Sequence, residues 1–377
     1  MKGKLGIILL AAAIALSGIA WFVAQRRDQA TEANFTTKPL FADLPKRVND
    51  VTALEVESLK GRFRIERAGE HWVMPSKDGY RVKADILRKN VLGIAELQTI
   101  EPRTDKPELY DRIQVSDPAA YKPADDAAKG DPGPIKLKLL DAKNVPLAEL
   151  IVGKVRTREI GPKPAELHVR LVSDTKSWLA KGRVDLPADP VAWLDKDMVK
   201  IERARVASAS IRHMDGEVLD LVRTNGADGT AKDDFKPAKP LPAGKKLSSQ
   251  YDANSAPGAL AFISFDDVAR AAAHDFSKAN VTEIVTLDGV RAVVKSLPAP
   301  DKKAWITVQL SFDPALVKED KGNTTLLSAE AAQKQVEEAN SRLNGWSYLV
   351  SEYTARDLLR RLAELLEDDK PKDDKKG

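Results

Sequence analysis

The strictest constraint on this chain is an alternation of apolar and polar residues that begins at residue 51. In VTALEVESLKGRFRIERAGEHWVM (51–74), Leu54, Val56, Phe63, Ile65, Trp72 and Met74 alternate with neighbours such as Glu55, Glu57, Arg62, Arg64 and Glu66. A period of two puts successive side chains on opposite faces of a strand, and the stretches LKG and AGE supply turns. The pattern predicts a meander of three antiparallel strands, one face buried and one wet.

Beyond the meander the period lengthens. Leu87, Val91 and Ile94 with Ala95 recur at three- and four-residue steps between Ala84 and Gln98, which is one face of a helix. YKPADDAAKGDPGP (121–134) is a loop by composition, and alternation resumes in IKLKLL, LAELIV and LHVRLV. The second half retells this order. VASASIRHMDGEVLDLVR (206–223) predicts a hairpin around Asp215-Gly216, residues 224–258 a long loop in place of the Trp72 strand, and DDVARAAAHDF (266–276) a helix. Strands return at TEIVTL and RAVVKS around Asp288-Gly289, and at AWITVQLSF. Hairpin, helix, hairpin, strand thus occurs twice, at an offset of about 150 residues.

The chain closes with a helix opened by Ser328 with Ala332, Val336, Ala339 and Leu343 on its apolar face, then a WSYLV strand. A last helix is expected from Thr354, with Asp357 completing a capping box and Leu358, Leu359, Leu362, Leu365 and Leu366 as its stripe. The fold class expected is α+β: an N-terminal transmembrane helix followed by two similar lobes of antiparallel strands, each with a packed helix, an internal duplication. The boundaries are an anchor at 1–27, a stalk at 28–44, lobes at 45–200 and 201–366, and a disordered charged tail at 367–377.

Residues 5–24 carry no charge, and at ~1.5 Å per residue a helix of that length spans ~30 Å, the hydrocarbon thickness of a bilayer. Trp21, Phe22 and Val23 continue the apolar run past Gly18 and Ala20, the small residues at which a signal peptide would be cut, so a retained anchor is expected. A short tail ahead of a single span stays cytoplasmic. That places the rest of the chain outside the cytoplasm, as a bacterial single-pass inner-membrane protein with a periplasmic ectodomain. The chain has no cysteine, which excludes disulfides, thiolate metal sites and a cysteine nucleophile. With 60 basic against 56 acidic residues it is too balanced to imply a nucleic-acid partner.

Catalytic patterns are sparse. Ser173 and Lys176 match the S-x-x-K spacing by which a lysine amine activates a serine, but no K-T-G accompanies them and the stretch reads as a turn. His71, His168, His213 and His274 lie far apart without metal-binding spacing. The pairs Asp125-Asp126, Asp233-Asp234 and Asp266-Asp267 fall in loops or at a helix start, and NGADGT (225–230) lacks EF-hand spacing. No metal, cofactor or catalytic residue is expected. Trp178 and Trp193 remain as ligand-binding candidates, an aromatic platform for a glycan or lipid, with core anchoring as the alternative.

Several segments taken in order carry a resemblance: the basic N-terminus and single span, DVTALEVESLKGRFRIERAGEHWVM, the helix after it, ELYDRIQV, HVRLVSDTKSWLAKGRVDLPADPVAWLDKDMVKI and GWSYLVSEYTARDLLRRLAELL. Over about residues 46–366 they resemble the bacterial family called domain of unknown function 4340. The resemblance implies membrane-anchored envelope proteins that occur with an ABC-type permease and ATPase and with an auxiliary protein similar to those of gliding-motility transporters. It brings no catalytic residues. The function it implies is a non-enzymatic, membrane-anchored accessory or scaffold subunit of an ABC-type transport system, with inner-membrane lipid, permease, ATPase and auxiliary protein as partners. Two other classes stay open: a glycan- or lipid-binding envelope module, and an envelope hydrolase working through Ser173 and Lys176.

Overall fold

The computed structural model describes residues 37–123, 131–157, 164–225, 231–318, 320 and 322–369. The expected anchor at 1–27, the first part of the stalk, Asp125-Asp126 and most of NGADGT lie outside the described residues. Among the described residues no helix is long and apolar enough to cross a membrane. The chain divides into two compact units, one made of residues up to 74 and 81–193, the other of 75–80 and 194 onward.

Unit 1 is an antiparallel sheet. Its strands are β1 (Lys38–Pro39), β2 (Ala53–Ser58), β3 (Gly61–Ala68), β4 (His71–Met74), β5 (Tyr80–Arg81), β6 (Gln98–Pro102), β7 (Ile135–Leu140), β8 (Pro146–Thr157), β9 (Ala165–Leu171) and β10 (Ser177–Gly182). They lie in the order β1-β6-β10-β9-β8-β7-β2-β3-β4-β5. Residues directly opposite on paired strands share a face, so Leu54 and Val56, set between Ile65 and Phe63 of β3 and Leu139 and Leu137 of β7, form one apolar ladder. All six are buried. Helix α1 (Ala84–Ala95) adds Leu87, Val91, Ile94 and Ala95 to the core. The far end of the expected stalk belongs to this unit, because Lys38 and Pro39 pair with Thr99 and Gln98 and Leu44 is buried.

Unit 2 contains β11 (Val206–Arg212), β12 (Val218–Asn225), β13 (Ala231–Pro237), β14 (Lys245–Leu247), α2 (Gln250–Ser255), β15 (Asp267–Arg270), β16 (Asn280–Thr286), β17 (Val290–Pro298), β18 (Ala304–Phe312), α3 (Ala329–Leu343), β19 (Trp346–Val350), α4 (Glu352–Leu358) and β20 (Leu366–Asp368). Eight of its strands form a second antiparallel sheet in the order β13-β12-β11-β16-β17-β18-β19-β15. The expected hairpins close on Gly216 and Gly289, whose φ values of +88° and +87° suit glycine. Helix α3 follows the sequence reading: Ser328 accepts from the Ala331 amide, and Ala332, Val336, Ala339 and Leu343 are all buried.

Eight of the ten strands in the unit 1 sheet, all but β1 and β5, match the eight of the unit 2 sheet one for one. Unit 1, read from its meander, runs β4-β3-β2-β7-β8-β9-β10-β6. Setting β2–β4 against β11–β13 and β6–β10 against β15–β19 reproduces the order of unit 2. Helices α1 and α2 fall at the same place in the two sequences of elements, between the meander and the strand that later pairs at the far edge. Unit 2 differs by inserting α3 where unit 1 has the short turn between β9 and β10.

Three sequence expectations are corrected. Residues 266–276 are not a helix: Asp267–Arg270 pair with Trp346–Leu349 as an edge strand, followed by single 3-10 turns at Ala271–Ala273 and Phe276–Lys278. Helix preference, at most about 0.7 kcal/mol per residue among ordinary residues, yields here to strand pairing. The expected loop 224–258 holds the counterpart of the Trp72 strand, β13, and the counterpart of α1, the short α2 capped by Ser249. The final helix is also shorter than expected. Ser351, not Thr354, is its cap, and it stops at Leu358, whose carbonyl accepts the Thr282 hydroxyl at 2.5 Å while the Arg360 carbonyl meets His213 Nε2 at 3.2 Å. Leu366–Asp368 then pair with Lys245–Leu247, so the charged tail begins beyond that strand.

Candidate functional site

The outward face of the unit 2 sheet is where the sequence pattern departs from simple alternation. Val293 and Lys295 of β17 lie opposite Gln309 and Thr307 of β18, and Leu297 lies opposite Trp305. Val293, Leu297 and Trp305 are apolar at positions where a wet face would carry polar residues, and each is only half-buried. Pairing between β18 and β19 covers Ala304–Ile306 and stops there. Past that point Asn340 of α3 acts as a substitute strand: Leu310 N–H donates to Asn340 Oδ1 at 3.0 Å, and Asn340 Nδ2 donates to the Leu310 carbonyl at 2.8 Å. These bonds satisfy an otherwise bare sheet edge.

The connection from β15 to β16 returns from the far edge of the sheet to its middle, and its His274, lying on outward-facing Trp305, places it on this face. It begins where the Ala271 amide donates to the Gly345 carbonyl. His274 then lies on the Trp305 ring, centroids 4.3 Å apart, with Nδ1 3.1 Å from Ser347 Oγ. Phe276 follows. The connection leaves an open groove of about 460 Å³ lined in part by Phe276, Val293, Lys295, Thr307, Leu343 and Trp346. Lys295 is the single charged residue of the lining, and among the described residues no carboxylate pairs with it, the nearby Glu283 being taken by Arg291. Beside the groove, the Arg270 guanidinium lies 3.8 Å over Trp346 and donates to the Asp78 carbonyl.

The structure separates the two candidate tryptophans. Trp193 is fully buried in unit 1, its indole N–H donating to the Pro187 carbonyl at 2.9 Å and its ring set 6.2 Å from Phe63. It is a core anchor and presents no face to a ligand, which corrects the platform expectation. Trp178 is half-buried on β10, with the Lys176 ammonium 4.9 Å from its ring. Ser173 and Lys176 sit on the turn between β9 and β10, and Lys176 faces Trp178 in a cation–π contact.

The other candidates are held in structural pairings. Asp233 pairs with Arg203, Asp234 accepts from Asn254, Asp266 pairs with Lys303 at 2.8 Å and Asp267 with Lys77 at 2.6 Å. His168 is buried against the Lys154 carbonyl, and burial pushes its pKa down. Among the described residues no group of three or more His, Asp or Glu side chains could hold a metal ion.

Sequence reasoning missed the buried pair of Arg205 and Asp288. Arg205 Nε and Nη2 donate to the two Asp288 oxygens at 2.7 and 3.1 Å, and Nη2 also reaches Gln335 of α3. The Thr286 hydroxyl and the Leu327 amide donate to the same carboxylate. Burial pushes the Asp288 carboxyl up, but the hydrogen bonds from Arg205, Leu327 and Thr286 together with the Arg205 charge more than reverse this, holding it below the usual carboxylate value. In the sequence Asp288 is indistinguishable from an ordinary turn residue before Gly289. The groove had a signal, since Val293 falls at an outward position of a well-marked strand.

No curated protein matches this chain. A family model described as a domain of unknown function (DUF4340) matches residues 72–279, a stretch running from β4 of unit 1 through β15 of unit 2. That is more than half of the chain, and the protein belongs to the DUF4340 family.

Proposed function

We propose that this protein is a non-enzymatic, membrane-anchored extracytoplasmic accessory subunit of an ABC-type transport system. The observation that carries the reading is the groove on unit 2, a recess of mixed polarity bounded by Phe276 and holding one cation, Lys295, that no carboxylate pairs with among the described residues, which suits binding. The side chains that the sequence offered for chemistry are engaged elsewhere: Lys176 on Trp178, and Asp266 and Asp267 in ion pairs. The uncharged residues 5–24 support an anchor, and an anchor raises the effective concentration of the two units beside a membrane partner. The strand-for-strand correspondence of the sheets supports descent of the two units from one duplicated α+β unit.

A second reading, a glycan- or lipid-binding envelope module, is favoured by the same groove, with Phe276 in the role first considered for Trp178 and Trp193. Two measurements test location and partner. A C-terminal reporter active only outside the cytoplasm should work, and purification of the tagged protein in mild detergent should recover a permease and an ATPase. A reporter that works only in the cytosol overturns the reading.

A further inference from the structure

The strand correspondence allows the outward faces of the two units to be compared at the same place. In unit 1 the connection from β6 to β7 also crosses the outward face, and it is long. The Tyr110 hydroxyl donates to the Thr175 carbonyl, and its ring lies 4.7 Å under the Arg170 guanidinium of β9. Arg170 Nε donates to the Val115 carbonyl at 2.9 Å. At β8 the chain passes so close that a Cβ on Gly153 would fall 2.4 Å from the Ile113 carbonyl oxygen. Asp117 then reaches Lys136 of β7 at 3.1 Å. Residues 110–117 therefore run across the sheet from Thr175, just before β10, to β7, and Ile151, outward-facing between Lys136 and Arg170, is fully buried beneath them.

In unit 2 the matching connection is residues 271–279 alone. It covers Trp305 and Ser347, the ground of β18 and β19, and leaves β17 open. Val293 is half-buried on the strand that matches the one carrying Ile151, and Lys295 faces the groove without a carboxylate. Unit 1 covers the matching strand, β8, with Ile113 and Gln114 and the neighbouring β7 with Asp117, while Tyr110 stays on the ground of β9 and β10. Among the described residues, unit 2 has Val293 and the cation at this place but no chain on them.

We infer that the unit 2 groove takes a short peptide segment of a partner protein, one that lays an apolar side chain over Val293 and a carboxylate against Lys295, as unit 1 lays its own residues 113–117 over β8 and β7. The single lysine, in a lining that also holds Thr307, Gln309 and Asn344, selects for an acidic sequence through charge complementarity. The inference deepens the accessory-subunit reading and rests on it only in assigning the segment to a transport partner.

The probe is a fluorescent peptide with the sequence of residues 105–118, DKPELYDRIQVSDP, titrated against the full-length protein in detergent and followed by anisotropy. Saturable binding is expected, weakened at least tenfold by Val293→Glu and by Lys295→Glu. A peptide with lysine in place of its aspartates should regain affinity for Lys295→Glu, which separates charge recognition from misfolding. No saturable binding, equal binding to the groove variants, or binding of anionic phospholipid vesicles through Val293 and Lys295 without peptide binding would each overturn the inference. Peptide binding lost with permease and ATPase recovery intact sinks the groove alone; the converse sinks the transport reading alone.

Discussion

Replacing Asp288 with Asn tests how far unit 2 depends on its buried ion pair. The side chains of Arg205 and Asp288 are 5% and 2% exposed, and the carboxylate accepts from Arg205 twice, from Thr286 and from the Leu327 amide. An Asn side chain keeps one acceptor oxygen, turns the other position into a donor facing other donors, and leaves the Arg205 charge uncompensated. Removing one partner of such a pair costs about 3–5 kcal/mol. With a urea slope of about 2–3 kcal/mol per molar, the midpoint of unit 2 should fall by about 1–2.5 M. Hydrogen exchange in urea, read by mass spectrometry on peptides from β16 and β17, reports unit 2 by itself.

The pH dependence has a definite sign. The folded value of Asp288 lies below its unfolded one, so its contribution is fully present above an unfolded value of about 3.9 and disappears as pH falls through the folded value. Wild-type protein should lose more stability on acidification than Asp288→Asn does. A loss under about 1 kcal/mol at neutral pH, far short of the expected 3–5, would refute the reasoning, as would an equal acid sensitivity in the two proteins.

Other substitutions probe single features. Gly153→Ala drives a methyl group into the Ile113 and Gln114 carbonyls, so unit 1 should lose about 1–3 kcal/mol and exchange faster over residues 107–117. Asn340→Ala strips both bonds from the Leu310 backbone and should cost about 1–3 kcal/mol, seen as faster exchange at the end of β18. Trp193→Ala should cost about 3–5 kcal/mol in unit 1 by opening a core cavity, and peptide binding at the unit 2 groove should be unchanged.

Local pattern made much of the fold legible. The meander at 53–74, the hairpins at Asp215-Gly216 and Asp288-Gly289, and the stripe of α3 each depend on neighbours a few residues away. What stayed hidden depends on distant partners. Asp267–Arg270 extend because Trp346–Leu349 offer an edge, and no periodicity within DDVARAAAHDF encodes that edge. The helix ends at Leu358, where Thr282 takes the carbonyl of its last residue and His213 meets that of Arg360 just beyond it. In the lysine- and proline-rich residues 231–255, a strand and a six-residue helix were masked by loop-like composition. The groove needs β17, β18, the turn after α3 and the short crossover together, so its residues were visible as strand positions and not as a site. The role of Trp193 was hidden for the opposite reason, since an aromatic in sequence looks the same whether it fills a core or faces a ligand.

The most direct measurement of the whole account is recovery of the tagged full-length protein, crosslinked in its own membrane and purified in mild detergent, with mass spectrometry of what accompanies it. The account predicts a permease and an ATPase enriched together with it. A membrane-embedded protein recovered in quantity with neither would contradict it.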